Sequence, residues 1–281
     1  MKLAGVVVAY NPTDSINDCI ESYINKVDKL YVVDNSSKDN SDKIKKNKKI
    51  EYITEHKNLG IAKALNIAAN KAYEEGYEWL LTMDQDSEFE GDNLQKLIDY
   101  TAKCDKKKIG LISPWHKTKE HPTSPEVEVE EVVEEMTSGN IVNLSLWKKI
   151  GGWKDYFFID NVDIEFCMNL NVNGYKVIRY NKSILNHNLG DITQKKVLWK
   201  TFTCTNHNYL RQYYMIRNLM YLSDLYKDKF PENIHHMKRG AYGRFKNILV
   251  WEKDKYRKIR NMFRGYIDYK KGITGEYKYK N

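Results

Sequence analysis

The stretch "WLLTMDQDSEF", residues 79–89, sets an apolar run of strand type directly against Asp84 and Asp86. A short continuous apolar run bounded by polar loops reads as a strand buried on both faces. In an extended segment residues i and i+2 project to one side, so both carboxylates can face one point while Gln85 faces away. Two carboxylates converging at a strand end repel each other, and a divalent cation relieves that repulsion. Mg²⁺ and Mn²⁺ are held in this way by one or two carboxylates, with substrate phosphates completing the shell. The bland alternative has Asp86 capping the following segment and Asp84 facing water.

Working outward, the pattern of apolar run and polar end recurs three times. "LAGVVVA" (3–9) runs into Asn11-Pro12, "KLYVVDNSS" (29–37) ends in Asp34-Asn35, and "IEYITEH" (50–56) leads into "KNLG". Between them, "DSINDCIESYINK" (14–26) places Ile16, Cys19, Ile20, Tyr23 and Ile24 at helical spacing, with Thr13 or Asp14 as N-cap. "IAKALNIAANKAYEEG" (61–76) is a second helix closing at Gly76. Strands alternating with helices predict a largely parallel sheet with helices on both faces, and ligands in such sheets bind beyond the carboxyl ends of the strands. That rule gathers "AYNP" (9–12), "DNSS" (34–37), "EHKNLG" (55–60) and "DQDS" (84–87) along one cleft.

Further on, "NLQKLIDYTAKC" (93–104) reads as a helix, "IGLISPW" (109–115) as a strand, and the acidic segment 117–135 as an exposed loop or edge hairpin. "YLRQYYMIRNLMYLSDLY" (209–226) opens a tyrosine-rich helical region. A composition shift near 200 divides the chain into an expected catalytic domain, 1–200, and a helical, basic C-terminal region, 201–281.

The totals exclude several classes. With 281 residues, 41% apolar and 12% aromatic, the chain is a folded protein with a sizeable core. Cys19, Cys104, Cys167 and Cys204 are too scattered for a zinc knuckle or disulfide framework, which fits a reducing compartment. "MKLAGVVVAYNP" breaks too early for a signal peptide, and no apolar run of about 18 residues suits a membrane span, so a cytoplasmic location is expected. The net charge of +8 is concentrated at 238–281, where fourteen Lys/Arg face four Asp/Glu. Such a tail, interleaved with aromatics, suits attachment to an anionic membrane at its inner face or a merely solvated surface.

The ordered set "VVVAYNP", "YVVDNSS", "EHKNLGIAKALN" and "LLTMDQDS" resembles the nucleotide-sugar half of family 2 glycosyltransferases, inverting enzymes of the GT-A fold. Within them, "NLGIAKALN" followed by "MDQDS" is most similar to bacterial rhamnosyltransferases of O-antigen and capsule assembly, over roughly residues 3–220. The resemblance implies a mixed, mainly parallel sheet flanked by helices, with a C-terminal helical extension. It implies that Ala9, Tyr10 and Asn11 surround the donor base and ribose, and that Asp34 accepts from the pyrimidine N–H. Asn58, Gly60 and Lys63 would close over the nucleotide, with Asp84 and Gln85 beside it. Asp86, with Asp84 and His187, would hold Mn²⁺ or Mg²⁺. The ordinary readings are a turn at Asp34-Asn35, a turn at Asn58–Gly60 and a loop histidine at 187.

An inverting transfer needs a base for the acceptor hydroxyl. "FFIDNVDIEFC" (157–167) resembles the acidic motif that supplies it, which implies Asp163, with Asp160 and Glu165 as competitors; Asn161 stands where an aspartate is often seen. The ordinary reading is an acidic helix start. "TSGNIVNLSLWKKIGGW" (137–153) matches the acceptor-side segment, implying Ser138, Gly139 and Asn140 at the transferred sugar and Trp153 near the acceptor or in the core. In "RQYYMIRN" (211–218), Arg211 and Arg217 would offset a diphosphate or pair with the acidic cluster.

The function so implied moves rhamnose from dTDP-rhamnose onto a bacterial surface polysaccharide or lipid-linked glycan. A UDP-linked galactose, glucose or galactofuranose donor is the alternative within the class. A nucleotidyltransferase would carry a Gly-rich basic loop where "AYNPTDS" stands. A nucleic-acid-binding protein would use the basic tail but leave Asp34, Asp84 and Asp86 unexplained, so no nucleic-acid partner is expected.

Overall fold

A computed structural model describes residues 1–118, 121–186, 193–197 and 200–279. Contacts divide the chain into two compact units: Met1–Asp155 with Asp163–Asn188, and Tyr156–Val162 with Leu189–Asn281. The division falls earlier than the composition shift near 200, and it assigns the short segment 156–162 to the helical unit.

The first unit is built on one nine-stranded sheet. Its parallel half comprises β1 (Leu3–Ala9), β2 (Lys29–Asp34), β3 (Ile50–Thr54) and β4 (Trp79–Asp84), in the order β3-β2-β1-β4. Beyond β4 come β8 (Asn140–Asn143), β6 (Ile109–Lys117), β9 (Lys176–Asn186) and the two-residue β5 (Glu88–Phe89). β8 runs antiparallel to both β4 and β6, while β6 and β9 are parallel. The acidic segment supplies β7 (Val129–Glu131), antiparallel to β9, where Glu131 and Glu130 meet Lys176 and Arg179.

The strands of the parallel half form where the sequence is apolar on both faces, and Leu3, Val7, Leu30, Val32, Trp79, Leu81 and Met83 share one core cluster. Helix α2 (Ile61–Glu74) turns Ala62, Leu65, Ala68, Ala69 and Ala72 inward, small side chains that let a helix lie close on a sheet. It ends as the sequence predicts, with Gly76 at φ +78°, a left-handed position that favours glycine. Helix α1 (Ile16–Glu21) is shorter than its apolar spacing predicts. Thr13 and Ser15 bond to each other instead of capping, and the Ser22 hydroxyl donates back to the Cys19 carbonyl as the chain tightens into a 3₁₀ turn. Helices α3 (Asn93–Ala102), α4 (Leu144–Ile150) and α5 (Val162–Val172) complete the described helices up to β9.

The second unit contains a hairpin, β10 (Thr193–Val197) with β11 (Lys200–Cys204), and helices α6 (Tyr209–Tyr226), α7 (Pro231–Val250) and α8 (Lys255–Lys270). The Asn208 side chain caps α6 by accepting from Arg211 N. Inside this unit Asn218 donates to the carbonyls of Phe157, Ile159 and Asp160, lashing the 156–160 segment to α6. Phe158, Asp160 and Asn161 all have φ between +61° and +67°, uncommon for residues with a Cβ. No helix among the described residues is long and apolar enough to cross a membrane.

α6 and α8 approach closely because Gly265 faces the Tyr213 carbonyl, where an added methyl would overlap backbone. Asp268, on the same side of α8, accepts from the Tyr213 and Tyr279 hydroxyls. Gly265→Ala is expected to cost about 1–3 kcal/mol and lower the melting temperature, because a backbone carbonyl cannot rotate away. An unchanged melting temperature would show that the helices can part without loss.

Candidate active site

Strand register assembles the edge that the sequence points to. Ala9 lies opposite Asp34, Asp34 opposite Thr54, and Val8 opposite Asp84, so the carboxyl ends of β1 to β4 finish together. Gln85 bridges back to β1: its Oε1 accepts from Tyr10 N at 2.8 Å and its Nε2 donates to Tyr10 O at 3.3 Å. The Tyr10 ring is left 52% exposed above that edge. Asn11, at φ +45°, donates its N–H to Ser36 Oγ.

Asp34 is 1% exposed, and protein donors occupy both of its oxygens. Ser36 N and Oγ reach Oδ1, while Asn40 Nδ2 and Tyr52 Oη reach Oδ2. Burial alone would raise this acid, but the bonds from Ser36, Tyr52 and Asn40 outweigh it and hold the carboxyl below its ordinary value. Asp34 is therefore the knot of the 34–40 loop, with its lone pairs already taken where the sequence reading assigned them to a pyrimidine. Asn35 ties that loop to the next: its Nδ2 donates to Asn58 Oδ1, and its Oδ1 accepts from Leu59 N. Asn58 Oδ1 also takes the N–H of Gly60, which stands at φ +83° before α2. Lys63 is exposed on the first turn of that helix.

Asp84 is half-buried and Asp86 exposed. Their charges act on residues of α1 and the turn after it: burial first, then Cys19 and Asp84, pushes the Tyr23 phenol up, and burial first, then Glu88 and Asp86, pushes the Cys19 thiol up. Both carboxylates thus act on one neighbourhood, while Gln85 turns to β1. No group of three His, Cys, Asp or Glu side chains with metal-binding geometry occurs among the described residues. His187 lies outside the described residues. Two carboxylates without a closed protein cage still fit Mg²⁺ or Mn²⁺, which bind through few protein ligands and complete their shell with phosphates and water.

The Ser138–Asn140 segment is held beside this tip. Asp84 N donates to Ser138 Oγ at 3.1 Å, and Gly139 N donates to Thr82 O at 2.7 Å. Gly139 has φ +78°, and a Cβ there would press on Leu185, Pro114 and Phe89. Asn140 is 2% exposed; its Nδ2 donates to Met136 O, while its Oδ1 has no protein partner. Asn140 lines a cavity of about 10 Å³ with Thr82, Glu135, Thr137, Trp153 and Asp163, room for a single water.

The three candidate bases separate. Asp163, half-buried on α5, opens on that cavity, and its Oδ1 accepts from Ile164 N. Glu165 is fully buried. Asp160 belongs to the other unit, where Arg211 holds its Oδ1 with Nη2 at 2.6 Å and Nε at 3.2 Å. Arg217 is also in that unit and is fully buried. It donates to Asn218 Oδ1, Tyr213 Oη and the carbonyls of Gly275, Tyr156 and Phe157, so its guanidinium is committed to the fold. Trp153 is 3% exposed and stacks on Phe166 at 4.6 Å. Asn66 fixes it by accepting from Trp153 N and donating to Trp153 O.

Sequence reasoning missed Ser36, Asn40 and Tyr52 around Asp34, and the pairing of His116 with Glu135 and Ser138. Ser36 lay within a quoted loop, whereas His116 meets partners about twenty residues away that no local pattern marks.

A mixed sheet that brings these loops and two aspartates to one edge is the architecture of GT-A folds. Residues 6–107 match the family model described as Glycosyl transferase family 2, and the chain is a glycosyltransferase carrying that domain. Across 98% of its length it is 27% identical to the dTDP-rhamnosyl transferase RfbF of Shigella flexneri, covering 97% of that protein. Its fold is similar to GalNAc-T7, solved with UDP, GalNAc and Mn²⁺, with a TM-score of 0.61, 12% identity and 84% of this chain covered. The chain spans 50% of that structure's length. It is also similar to the mannosyltransferase PcManGT of Pyrobaculum calidifontis, solved with GDP-Man and Mn²⁺, with a TM-score of 0.56, 14% identity and 95% and 75% of the two chains covered.

The Asp34 knot makes a pH prediction. Because its folded pKa lies below the unfolded value of about 3.9, its stabilisation is complete above that pH and is lost as pH falls through the folded value. Asp34→Asn should cost about 1–3 kcal/mol at pH 7, with the gap from wild type closing toward pH 2 in urea titrations. Parallel curves across that range would exclude the role.

Proposed function

We propose that this chain is an inverting, metal-dependent rhamnosyltransferase that uses dTDP-rhamnose and a bacterial surface glycan or its lipid-linked precursor as acceptor. The observation that carries this reading is the near full-length similarity to a dTDP-rhamnosyl transferase. The acidic strand edge supplies chemistry to match it.

In this mechanism Asp163 accepts the proton of the acceptor hydroxyl as its oxygen bonds to the anomeric carbon. The bond to the nucleotide diphosphate breaks on the opposite face. The cavity shared with Asn140 and Thr82 puts Asp163 next to β4 within one unit, whereas Asp160 is engaged by Arg211 and Glu165 is buried. Tyr10, exposed at the end of β1, offers an aromatic face to the base. Asp86 and Asp84 would hold Mn²⁺ or Mg²⁺, which when bound neutralises charge on the departing diphosphate. Mn²⁺ in both structural neighbours supports that assignment.

The reading extends to an anionic membrane surface for α8. Its inner side is fixed by Lys258, Asn261, Met262, Gly265 and Asp268, all buried. Its outer side carries Tyr256, Phe263 and Ile267 at 75%, 59% and 45% exposure, with Arg260 and Arg264 alongside. An apolar stripe flanked by cations suits insertion at headgroup depth.

Three outcomes are expected. Asp86→Ala lowers turnover of dTDP-rhamnose by at least about 10²-fold with its melting temperature unchanged, and retained turnover would refute the metal role. Asp163→Asn binds donor normally but loses about 10²- to 10⁴-fold in turnover, and a normal rate would shift the base elsewhere. In flotation with anionic vesicles, Tyr256→Ser/Phe263→Ser protein floats several-fold less than wild type; equal flotation would remove the membrane surface.

A further inference from the structure

Beneath the acidic tip lies a buried polar chain that the proposed mechanism does not use. It starts at Arg179 on β9, whose Nη1 donates to Glu135 Oε1 at 3.0 Å and whose Nη2 reaches Glu130 at 2.7 Å. The Arg179 guanidinium lies over the Trp115 ring, 5.0 Å from its centroid. Glu135 Oε2 accepts from Ser113 Oγ at 3.2 Å and stands 3.3 Å from His116 Nδ1. His116 Nε2 is 2.6 Å from Ser138 O. The side chains of His116 and Glu135 are 4% and 6% exposed.

A carbonyl oxygen only accepts, so His116 Nε2 must carry a hydrogen and donate to Ser138 O. Glu135 Oε2 faces Nδ1, a pairing that holds only where that nitrogen carries a hydrogen as well. Ser138 is itself fully buried, and the imidazole N–H lies within hydrogen-bond reach of its carbonyl. The same residue's Oγ accepts the backbone N–H of Asp84, and the next residue, Gly139, bonds to Thr82 O. The imidazole thus joins the Thr82 hydroxyl, which donates to Thr137 O, in holding a turn that grips β4 at Thr82 and Asp84, immediately before the exposed Asp86.

We infer that His116 is a positioning residue: seated beside the Glu135–Arg179 pair, it holds the Ser138–Gly139 turn through the Ser138 carbonyl and, through the Ser138 hydroxyl, the backbone of the Asp84–Asp86 tip. The inference rests on the reading of that tip as the holder of a divalent cation and a nucleotide diphosphate. Buried charged groups are costly to desolvate, and an apolar cluster would serve a purely structural purpose as well. What an apolar cluster cannot supply is a directed bond to the Ser138 carbonyl. Such directed bonds are how the groups around a site hold its ligands in geometry.

The test is calorimetric binding of dTDP to the full chain, with and without Mn²⁺, alongside melting temperature. Wild type should bind dTDP more tightly with Mn²⁺. His116→Ala is expected to lose that Mn²⁺-dependent gain by about 10-fold, the loss usual for groups that orient metal ligands, while its Mn²⁺-free binding stays within about 2-fold of wild type. His116→Gln, whose amide N–H₂ can donate to Ser138 O, should recover most of the gain. Ser138→Ala, which keeps the carbonyl bond and deletes only the link to Asp84, should reproduce the loss, and it carries the test if His116→Ala does not fold. A lowered melting temperature with the Mn²⁺-dependent gain intact in both alanine variants would overturn the inference alone. Wild-type binding that ignores Mn²⁺ would overturn the underlying reading of the tip, and this inference with it.

Discussion

Parallel strands carry their carboxyl ends to the same edge, and this geometric constraint governs the molecule. In the half-sheet β3-β2-β1-β4 it brings the ends of four strands into register, with Thr54, Asp34, Ala9 and Asp84 in adjacent rows. Acidic groups gathered in this way need compensation, and the chain compensates them differently. The charge of Asp34 is stabilised internally by four hydrogen bonds, and the residue becomes part of the scaffold. Asp86 stays exposed, and on the proposed mechanism its compensation comes from outside the protein.

The scaffold around that edge consists of side chains bonding to backbone. Gln85 grips both polar groups of the Tyr10 backbone, Ser36 holds Asn11, Asn35 and Asn58 join two loops, and Ser138 holds Asp84. Loops held in this way keep their conformation before a ligand arrives, which lowers the ordering cost of binding. In the helical unit buried polar residues act in the same way: Arg217 and Asn218 hold carbonyls of the 156–161 segment, where Phe158, Asp160 and Asn161 adopt positive φ. Strain of that kind persists only where surrounding bonds over-determine it.

The parallel half was legible in the sequence because each strand is a short apolar run ending in a polar turn, and both features are local. The left-handed glycine that closes α2 at 76 was legible for the same reason. What escaped was non-local. β8 inserts antiparallel between β4 and β6 in four residues, too few to show a period. Asp34 has the composition of a ligand contact, and only the fold shows that Tyr52, eighteen residues on, already occupies it. Arg217 sits in a run of polar and aromatic residues suited to a surface helix, yet it is fully buried because it reaches carbonyls about sixty residues away. The assignment of 156–162 to the helical unit has the same cause.

Anomalous diffraction at the manganese edge, from crystals of the full chain grown with Mn²⁺ and dTDP, tests the central claim most directly. The account predicts one dominant peak between the Asp86 carboxylate and the dTDP diphosphate oxygens. A nucleotide bound at the strand edge with no anomalous peak near Asp84 or Asp86 would contradict it, as would a peak coordinated by other residues.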